Sequence, residues 1–259
     1  MDSILDRFCT PPATQETEFD AKALEGARTG NVTCGERVLA TYEWGEGKSV
    51  LLAHGWGSRA SHMGLIARGL ARQGYRVVAF DGPAHGRSRG GAPRSSMFEY
   101  CVCLHAVAQA LGPFFTIIGH SLGAAAAVFT SAGYLGIEPY KITTEKLVLI
   151  SMPSGVARMM ESFCKNDGGS VAELRPLLEQ AFSFSVDDYE VGRALGATGA
   201  RTLLIHDEGD EEVPVSDATS LARLHPTAML LVTKGSGHGR ILASRETLRA
   251  ITAFLGLQA

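Results

Sequence analysis

The sequence predicts an α/β fold, in which helices cover both faces of a mostly parallel sheet. Short runs of leucine, β-branched and aromatic residues recur along the chain, and stretches with helical periodicity separate them. This alternation is typical of strand–helix–strand units that share one sheet. The chain has 259 residues, 45% of them hydrophobic, which is enough for one core. Residues 1–259 are therefore predicted to form a single domain.

The first strands are predicted to pair in an antiparallel hairpin. An entry strand is expected over Arg37 to Trp44, paired with Asn31 to Cys34 through a turn at Gly35-Glu36. Ahead of this hairpin, Pro11-Pro12 and Gln15 to Glu18 are predicted to form a surface lead-in. Buried strands are then expected near residues 49–54, 75–80, 114–118, 146–151, 201–206 and 228–233. Helices are expected near residues 60–73, 95–111, 121–135, 216–225 and 240–255.

The alternation is interrupted between Gly155 and Ala200, where the sequence predicts a small helical lid. Two apolar stripes have helical spacing: Val156, Met159, Met160 and Phe163, and then Leu174, Leu177, Leu178, Ala181 and Phe182. Two or three short helices joined at Asn166 to Gly169 would cover the ligand crevice. The candidate substrate-binding residues are Met152, Met159, Phe163 and Phe182. The alternative is that these stripes only pack the lid onto the rest of the domain.

A serine lies at the apex of a predicted strand–turn–helix. Gly119-His120-Ser121-Leu122-Gly123 follows the strand at 114–118 and precedes an alanine-rich stretch. A G-x-S-x-G turn in this context strains the serine backbone and exposes the hydroxyl, while the glycines let strand and helix pack closely. The pentapeptide also occurs by chance, so the assignment of Ser121 as a nucleophile depends on its partners.

The partners are predicted at the ends of two later strands. A serine nucleophile needs a histidine as general base and an acid that orients the histidine. Asp210 follows the strand at 201–206, and His238 follows the strand at 228–233 between two glycines. The order Ser121, Asp210, His238 is the one expected for a nucleophile on a strand-to-helix turn. Asp207, three residues before Asp210, is the alternative acid.

With these residues the chain resembles the α/β-hydrolase superfamily over nearly its whole length, and the resemblance implies the α/β-hydrolase fold. Residues 50–57 are similar to the first buried strand and oxyanion loop of that family, and residues 75–88 to the next strand and its loop. The resemblance implies that the backbone N–H groups of Trp56 and Leu122 form the oxyanion hole, where a helix N-terminus favours negative charge. His54, His85 and His120 are interpreted as structural hydrogen-bonding residues.

Charge and cysteine content exclude several function classes. The formal net charge is −3, and the basic residues are scattered, which argues against nucleic acid or an anionic membrane as a partner. Residues 1–6 lack the apolar region of a secretory signal, and no segment is apolar enough to span a bilayer. The five cysteines form no C-x-x-C pair, which favours reduced thiols in the cytoplasm. No metal-binding spacing is present and no cofactor is expected.

The sequence therefore predicts a cofactor-independent serine hydrolase that cleaves a small to medium hydrophobic carboxylic ester by a Ser–His–Asp acyl-enzyme mechanism. The same residues would serve an acyltransferase, a thioesterase, a peptidase or an enzyme that cleaves carbon–carbon bonds. A ligand sensor that retains these residues but turns over slowly is an alternative from another class. The partner is expected to be a small-molecule ester, and both a monomer and a homodimer remain open.

Overall fold

A mixed eight-stranded sheet runs through the centre of the computed structural model, which describes residues 3–134 and 136–256. In chain order the strands are β1 (Arg28–Cys34), β2 (Arg37–Trp44), β3 (Lys48–Ala53), β4 (Tyr75–Phe80), β5 (Thr116–His120), β6 (Lys146–Ile150), β7 (Arg201–Asp207) and β8 (Met229–Thr233). Their spatial order is β1-β2-β4-β3-β5-β6-β7-β8. β2 is antiparallel to both β1 and β4, and every pairing from β4 to β8 is parallel.

Helices occupy the connections between the strands. In chain order they are α1 (Ile4–Cys9), α2 (Glu18–Ala23), α3 (Gly64–Ala71), α4 (Met97–Leu111), α5 (Leu122–Ala132), α6 (Val156–Asp167), α7 (Val171–Phe182), α8 (Val191–Gly196), α9 (Val215–Leu224), α10 (Gly237–Arg240) and α11 (Arg245–Leu255). Short 3₁₀ turns lie at Ala60–Met63, Glu138–Tyr140, Val186–Asp188 and Ile241–Ala243. Within the described residues, no helix has the length and apolar character needed to cross a membrane.

The predicted elements are largely confirmed. The entry strand spans the predicted residues, and each later strand begins and ends within two residues of its prediction. The predicted helix at 240–255 is wrong as one element, because a 3₁₀ turn and Ser244 separate α10 from α11. The predicted helix at 121–135 ends at Ala132, where Gly133 adopts a left-handed conformation, and residue 135 lies outside the described residues.

Two helices of six residues each flank the predicted lead-in. Ser3 caps α1 ahead of it and Thr17 caps α2 at its end, and each makes a reciprocal capping box with an aspartate three residues later. Pro12 and residues 15–18 are exposed, as predicted for a surface lead-in, whereas Pro11 is buried. In α1, the Ile4 side chain is buried against α6 and α7, so the chain ahead of the lead-in packs on the helical segment between β6 and β7.

Alternate side chains of the central strands enter two separate cores. On β3, Leu51 faces the core shared with α4 and α5, whereas Val50 and Leu52 face the core shared with α3 and α11. All three side chains are fully buried, as expected for a parallel strand covered on both faces. Because β3, β5, β7 and β8 are parallel, their carboxyl ends meet at one edge of the sheet. The loops that leave these ends carry Trp56 and the three predicted catalytic residues.

Candidate active site

Ser121 lies in the tight turn between β5 and α5, and its backbone is strained. Its φ of 51° and ψ of −120° fall in a region of backbone angles that residues other than glycine rarely adopt. Close packing holds the turn: a Cβ on Gly119 would lie 2.4 Å from the Cα of Ala124, and one on Gly123 would lie 2.3 Å from the Ala53 carbonyl oxygen. The two glycines thus allow the close approach that the sequence predicted for them.

His238 and Asp210 form a hydrogen-bonded pair beside this turn. His238 Nδ1 lies 2.8 Å from Asp210 Oδ2. With a carboxylate at this distance, Nδ1 carries the proton and donates it, so that Nε2 of the neutral ring is free to accept one. The His238 and Ser121 side chains line the same cavity. Ser121 and His238 therefore line one cavity, and the buried Asp210 is hydrogen-bonded to His238.

The carboxylate of Asp210 is buried and held in place by its own loop. Its Oδ1 accepts hydrogen bonds from the N–H groups of Val213, at 2.9 Å, and Glu212, at 3.0 Å. Burial opposes ionisation, but the hydrogen bonds from His238 and Val213 outweigh it and hold the pKa of Asp210 below its ordinary value. His206 on β7 also fixes this loop, because its Nε2 donates to the Val213 carbonyl oxygen at 2.8 Å.

Asp207, the alternative acid, has other partners. Its Oδ2 accepts from the Thr233 hydroxyl at 2.8 Å and from the Ser236 N–H at 2.9 Å. Burial tends to raise its pKa, but hydrogen bonds from the Gly237 and Ser236 backbone outweigh burial and lower the pKa to about 2. Asp207 therefore ties β7 to the loop that carries His238, whereas Asp210 contacts the imidazole itself.

The two predicted oxyanion residues lie on neighbouring loops with their N–H groups unused. Within residues 3–134 and 136–256, neither the Trp56 N–H nor the Leu122 N–H donates a hydrogen bond to another group of the protein. Leu122 is the first residue of α5, where N–H groups point out of the helix without an intrahelical partner. Both residues line the cavity beside Ser121. The two N–H groups are thus available to an oxygen atom bound there.

Two buried histidines shape the loop that carries Trp56. His85 Nε2 accepts the Gly57 N–H at 3.0 Å, and His54 Nε2 accepts the Gly82 N–H at 2.8 Å. Burial lowers the pKa of both rings, and lowers that of His54 well below its ordinary value, so both are neutral and able to accept. Both hydrogen-bond to backbone groups, as the sequence predicted.

His120, next to Ser121 in the chain, holds the opposite loop. Its Nε2 lies 2.9 Å from the His238 carbonyl oxygen, and the two rings lie 4.8 Å apart. Burial, together with the nearby His238, lowers the pKa of His120 to about 3, so the neutral ring donates to that carbonyl. His120 therefore links the turn of Ser121 to the backbone of His238 and, as predicted, serves as a structural hydrogen-bonding residue.

The cavity that contains Ser121 has a volume of about 1210 Å³ and is lined mainly by apolar and aromatic side chains. Three of the four predicted substrate-binding residues, Met159, Phe163 and Phe182, line it. Met152 does not, because its side chain is buried in the core beneath α5. Most ligand pockets have volumes of about 300–1,000 Å³, so this cavity has room for more than a minimal ester.

The cavity residues that were not predicted include a group from the chain before the sheet: Arg7, Phe8, Cys9, Thr10, Pro12 and Phe19. They also include Glu212, whose Oε2 lies 3.7 Å from His238 Nε2. The capping patterns at Ser3 and Thr17 are the sequence signal that could have revealed the group before the sheet. Sequence spacing gives no comparable signal for the direction of the Glu212 side chain.

The described part of the chain offers no arrangement for a resident metal ion. Within it, no three histidine, cysteine, aspartate or glutamate side chains come together in a way that could hold one. The polar groups that line the cavity include the Ser121 hydroxyl, the His238 imidazole and the Glu212 carboxylate. With these groups the site can transfer a proton and supply an oxygen nucleophile.

The chain matches one family model and is similar in sequence to two proteins with different named activities. The model of the alpha/beta hydrolase family matches residues 50–250. The chain is 24% identical over 253 residues to a non-heme haloperoxidase from Rhodococcus erythropolis, across 80% of this chain and 92% of that protein. It is 34% identical over 130 residues to a pimeloyl-[acyl-carrier protein] methyl ester esterase from Nitrosospira multiformis, across 48% of this chain and 46% of that protein.

A solved structure has the same fold as this chain. An esterase from Pyrococcus furiosus superposes on this chain with a TM-score of 0.68 at 23% sequence identity. The superposition covers 95% of each chain. At this identity the likeness establishes the fold, and the reaction has to be argued from the residues of this chain.

Proposed function

The chain belongs to the alpha/beta hydrolase family, and we propose that it is a serine hydrolase that cleaves a carboxylic ester through an acyl-enzyme. The observation that carries the proposal is the 2.8 Å contact between His238 Nδ1 and Asp210 Oδ2, in a cavity that also exposes Ser121. This contact selects the ring tautomer whose Nε2 can take a proton from a serine hydroxyl.

The proposed reaction has two steps that share one geometry. Ser121 Oγ attacks the ester carbonyl while His238 Nε2 takes the hydroxyl proton, and the alcohol then leaves with that proton. Water repeats the sequence on the acyl-enzyme: it gives a proton to Nε2, attacks the carbonyl, and releases the acid and the Ser121 hydroxyl. Asp210 keeps its charge throughout and stabilises the imidazolium formed in each step.

The negative charge on the carbonyl oxygen is assigned to the N–H groups of Trp56 and Leu122. Two donors that have no partner among the described residues, one of them at a helix N-terminus, suit a charge that develops only during the reaction. Removing one such donor in other enzymes costs about 10²–10³ in kcat. The neutral His85 supports this assignment, because it fixes the N–H of Gly57, next to Trp56.

The cavity favours a neutral ester with a hydrophobic group of medium size. Aromatic and aliphatic side chains line most of it, and the Glu212 carboxylate stands 3.7 Å from His238 Nε2. A carboxylate in that position repels a substrate with a negative charge near its reacting carbonyl. We further propose that residues 155–200 act as a small lid on the one catalytic domain, and that the enzyme works in the cytoplasm with its thiols reduced.

A fluorophosphonate probe tests the proposal, with intact mass as the first measurement. We expect one adduct on the wild-type protein and none on Ser121→Ala. Ser151→Ala is a matched control, because Ser151 also has a positive φ, 48°, and follows the adjacent strand, but it is fully buried. The control should keep the adduct. Labelling of folded Ser121→Ala would overturn the assignment of the nucleophile.

Hydrolysis of a p-nitrophenyl ester series, with acyl chains of increasing length, completes the test. We expect multiple turnovers by the wild-type protein and a loss of about 10⁶-fold in kcat for Ser121→Ala, which is below detection. A single burst of product without further turnover would contradict the hydrolase proposal and support the slow ligand sensor. Faster turnover of matched thioesters or amides would keep the mechanism and change the substrate class.

A further inference from the structure

The chain before the sheet closes one side of the cavity, and we infer that it sets the size of substrate that the site accepts. We call residues 3–23 the N-terminal segment. The inference rests on the proposed function and adds to it a specificity-determining residue, Phe8. The family match begins at residue 50, so this segment lies outside the part of the chain that the family model describes.

The start of the N-terminal segment, helix α1, is fixed to the helices between β6 and β7. The Ile4 side chain is buried, in a cluster with Met160, Leu174 and Leu178. The packing is close: a Cβ on Gly169 would lie 2.4 Å from the Cδ1 of Ile4. Helix α1 is therefore seated against α6 and α7 by its own apolar side chain.

The other end of the N-terminal segment is fixed to the loop after β3, which carries Trp56. Pro12 lies over Gly57, where a Cβ would be 2.8 Å from the proline Cγ. The buried Arg59 donates to the Thr14 carbonyl oxygen at 2.6 Å. Further along, the Ser61 hydroxyl donates to the buried carboxylate of Asp20. The N-terminal segment thus crosses the cavity from the helical segment to the proposed oxyanion loop.

Within the N-terminal segment, Phe8 faces the cavity that contains Ser121. Its ring meets that of Phe163 edge to face, with centroids 5.2 Å apart, and both side chains line the cavity that contains Ser121. The backbone beside Phe8 is held as well, because the Cys9 carbonyl oxygen accepts the Ser95 N–H at 2.7 Å. A hydrophobic arm of the ester that extends from Ser121 toward α6 would end against these two rings.

The position of Phe8 predicts effects of opposite sign for smaller and larger side chains. Phe8→Ala opens the end of the pocket, so the optimum of the p-nitrophenyl acyl series should move to longer chains. Phe8→Trp fills the space and should move the optimum to shorter chains. Since one methylene in a hydrophobic pocket changes kcat/KM by about tenfold or more, we expect the ratio of long-chain to short-chain kcat/KM to shift by about tenfold in each direction.

Leu5→Ala is the matched control. Leu5 belongs to the same helix and is also partly buried, but it lines an adjoining cavity and not the one that contains Ser121. This variant should leave the chain-length ratio within about twofold of the wild-type value, since the removed atoms do not face the substrate. A ratio unchanged in both Phe8 variants, or changed equally by Leu5→Ala, would overturn the inference.

A binding measurement separates this inference from the proposed function. The neutral 2-alkanones carry an ester-like carbonyl but no bond to hydrolyse, so their affinities can be measured by calorimetry with and without Phe8→Ala in Ser121→Ala protein. We expect tightest binding at one chain length, moved to longer chains by Phe8→Ala. Absence of ester hydrolysis would remove the proposed function alone. Identical 2-alkanone profiles would remove the inference alone.

Discussion

The strand-end loops and the cover of the cavity face each other across one space and are held in different ways. The strand-end loops are residues 54–57, 120–122, 207–213 and 234–238, and the cover consists of the N-terminal segment and residues 155–200. In the loops, the carboxylates of Asp207 and Asp210 are buried and accept backbone N–H groups. In the cover, Asp167 is 32% exposed and pairs at 2.8 Å with Arg7, which is 42% exposed.

This difference separates the position of the reacting groups from the shape of the pocket. Hydrogen bonds to a buried charge contribute about 1.5–3 kcal/mol each, whereas an exposed ion pair contributes about 0–1 kcal/mol. The loops are therefore fixed by interactions that are costly to break. In the cover, α1 is held on α6 and α7 mainly by apolar contacts such as that of Ile4, and the buried carboxylate of Asp20 holds the other end of the N-terminal segment. Substitutions in the loops should change the rate of the reaction, and substitutions in the cover should change which substrate reacts.

The largest expected effect is that of Asp210→Asn. The amide keeps the shape of the carboxylate but favours the wrong tautomer of His238 and cannot stabilise the imidazolium. We expect kcat to fall by about 10⁴-fold with KM nearly unchanged, measured on the best p-nitrophenyl ester. Asp207→Asn is the comparison within the same loop. It should lower Tm, because Asp207 holds Thr233 and Ser236, and reduce kcat far less. Equal losses of kcat in two folded variants would break the assignment.

A pair of glycines compares the two regions by stability. A Cβ on Gly123 would lie 2.3 Å from the Ala53 carbonyl oxygen, whereas Gly168, between α6 and α7, has a φ of +78° and open space around it. We expect Gly123→Ala to lower the free energy of unfolding by about 3 kcal/mol, and Gly168→Ala to lower it by about 1 kcal/mol. Urea denaturation measures both. If Gly168→Ala is the more harmful, the cover is packed more tightly than the structure indicates.

The same two regions differ in how far the sequence predicts them. The strand-end loops follow runs of apolar residues that only a buried strand explains, so the edge that gathers Ser121, Asp210 and His238 could be predicted from order alone. The choice between Asp207 and Asp210 could not be made in this way. It depends on which carboxylate meets the imidazole, and that is fixed by the hydrogen bonds of Thr233 and Val213.

The cover is only partly predictable. The apolar stripes of α6 and α7 predicted two helices, but α1 and α2 have six residues each, too few for a periodic pattern. Their stability comes from caps and from contacts with residues far away in the sequence, such as Ile4 with Met160. Sequence spacing therefore predicted which residues meet at the strand ends, while the wall opposite them required the tertiary structure.

The last comparison uses Ile4→Ala, which tests whether the cover opens separately from the sheet. Removing buried aliphatic atoms costs about 2 kcal/mol at the lower end of such substitutions, but here the cost falls on the contact between α1 and the helices α6 and α7. The contact is lost when the cover opens and also when the whole molecule unfolds, so this cost raises the population of both states about thirtyfold relative to the native state.

Amide hydrogen exchange measures both quantities in one experiment. Amides of the N-terminal segment and α6 should exchange about thirtyfold faster in Ile4→Ala, and so should those of β3 and β5, because the Ile4 contact is lost in both openings. Leu51→Ala separates the two openings: Leu51 is fully buried in the sheet core and stays packed when only the cover opens. Its loss should therefore speed exchange in β3 and β5 and leave the cover at the wild-type rate. Equal acceleration of the cover and the sheet by Leu51→Ala would mean that they unfold as one unit. A substitution in the cover would then disturb the reacting groups as well, and pocket size and reaction rate could not be changed independently.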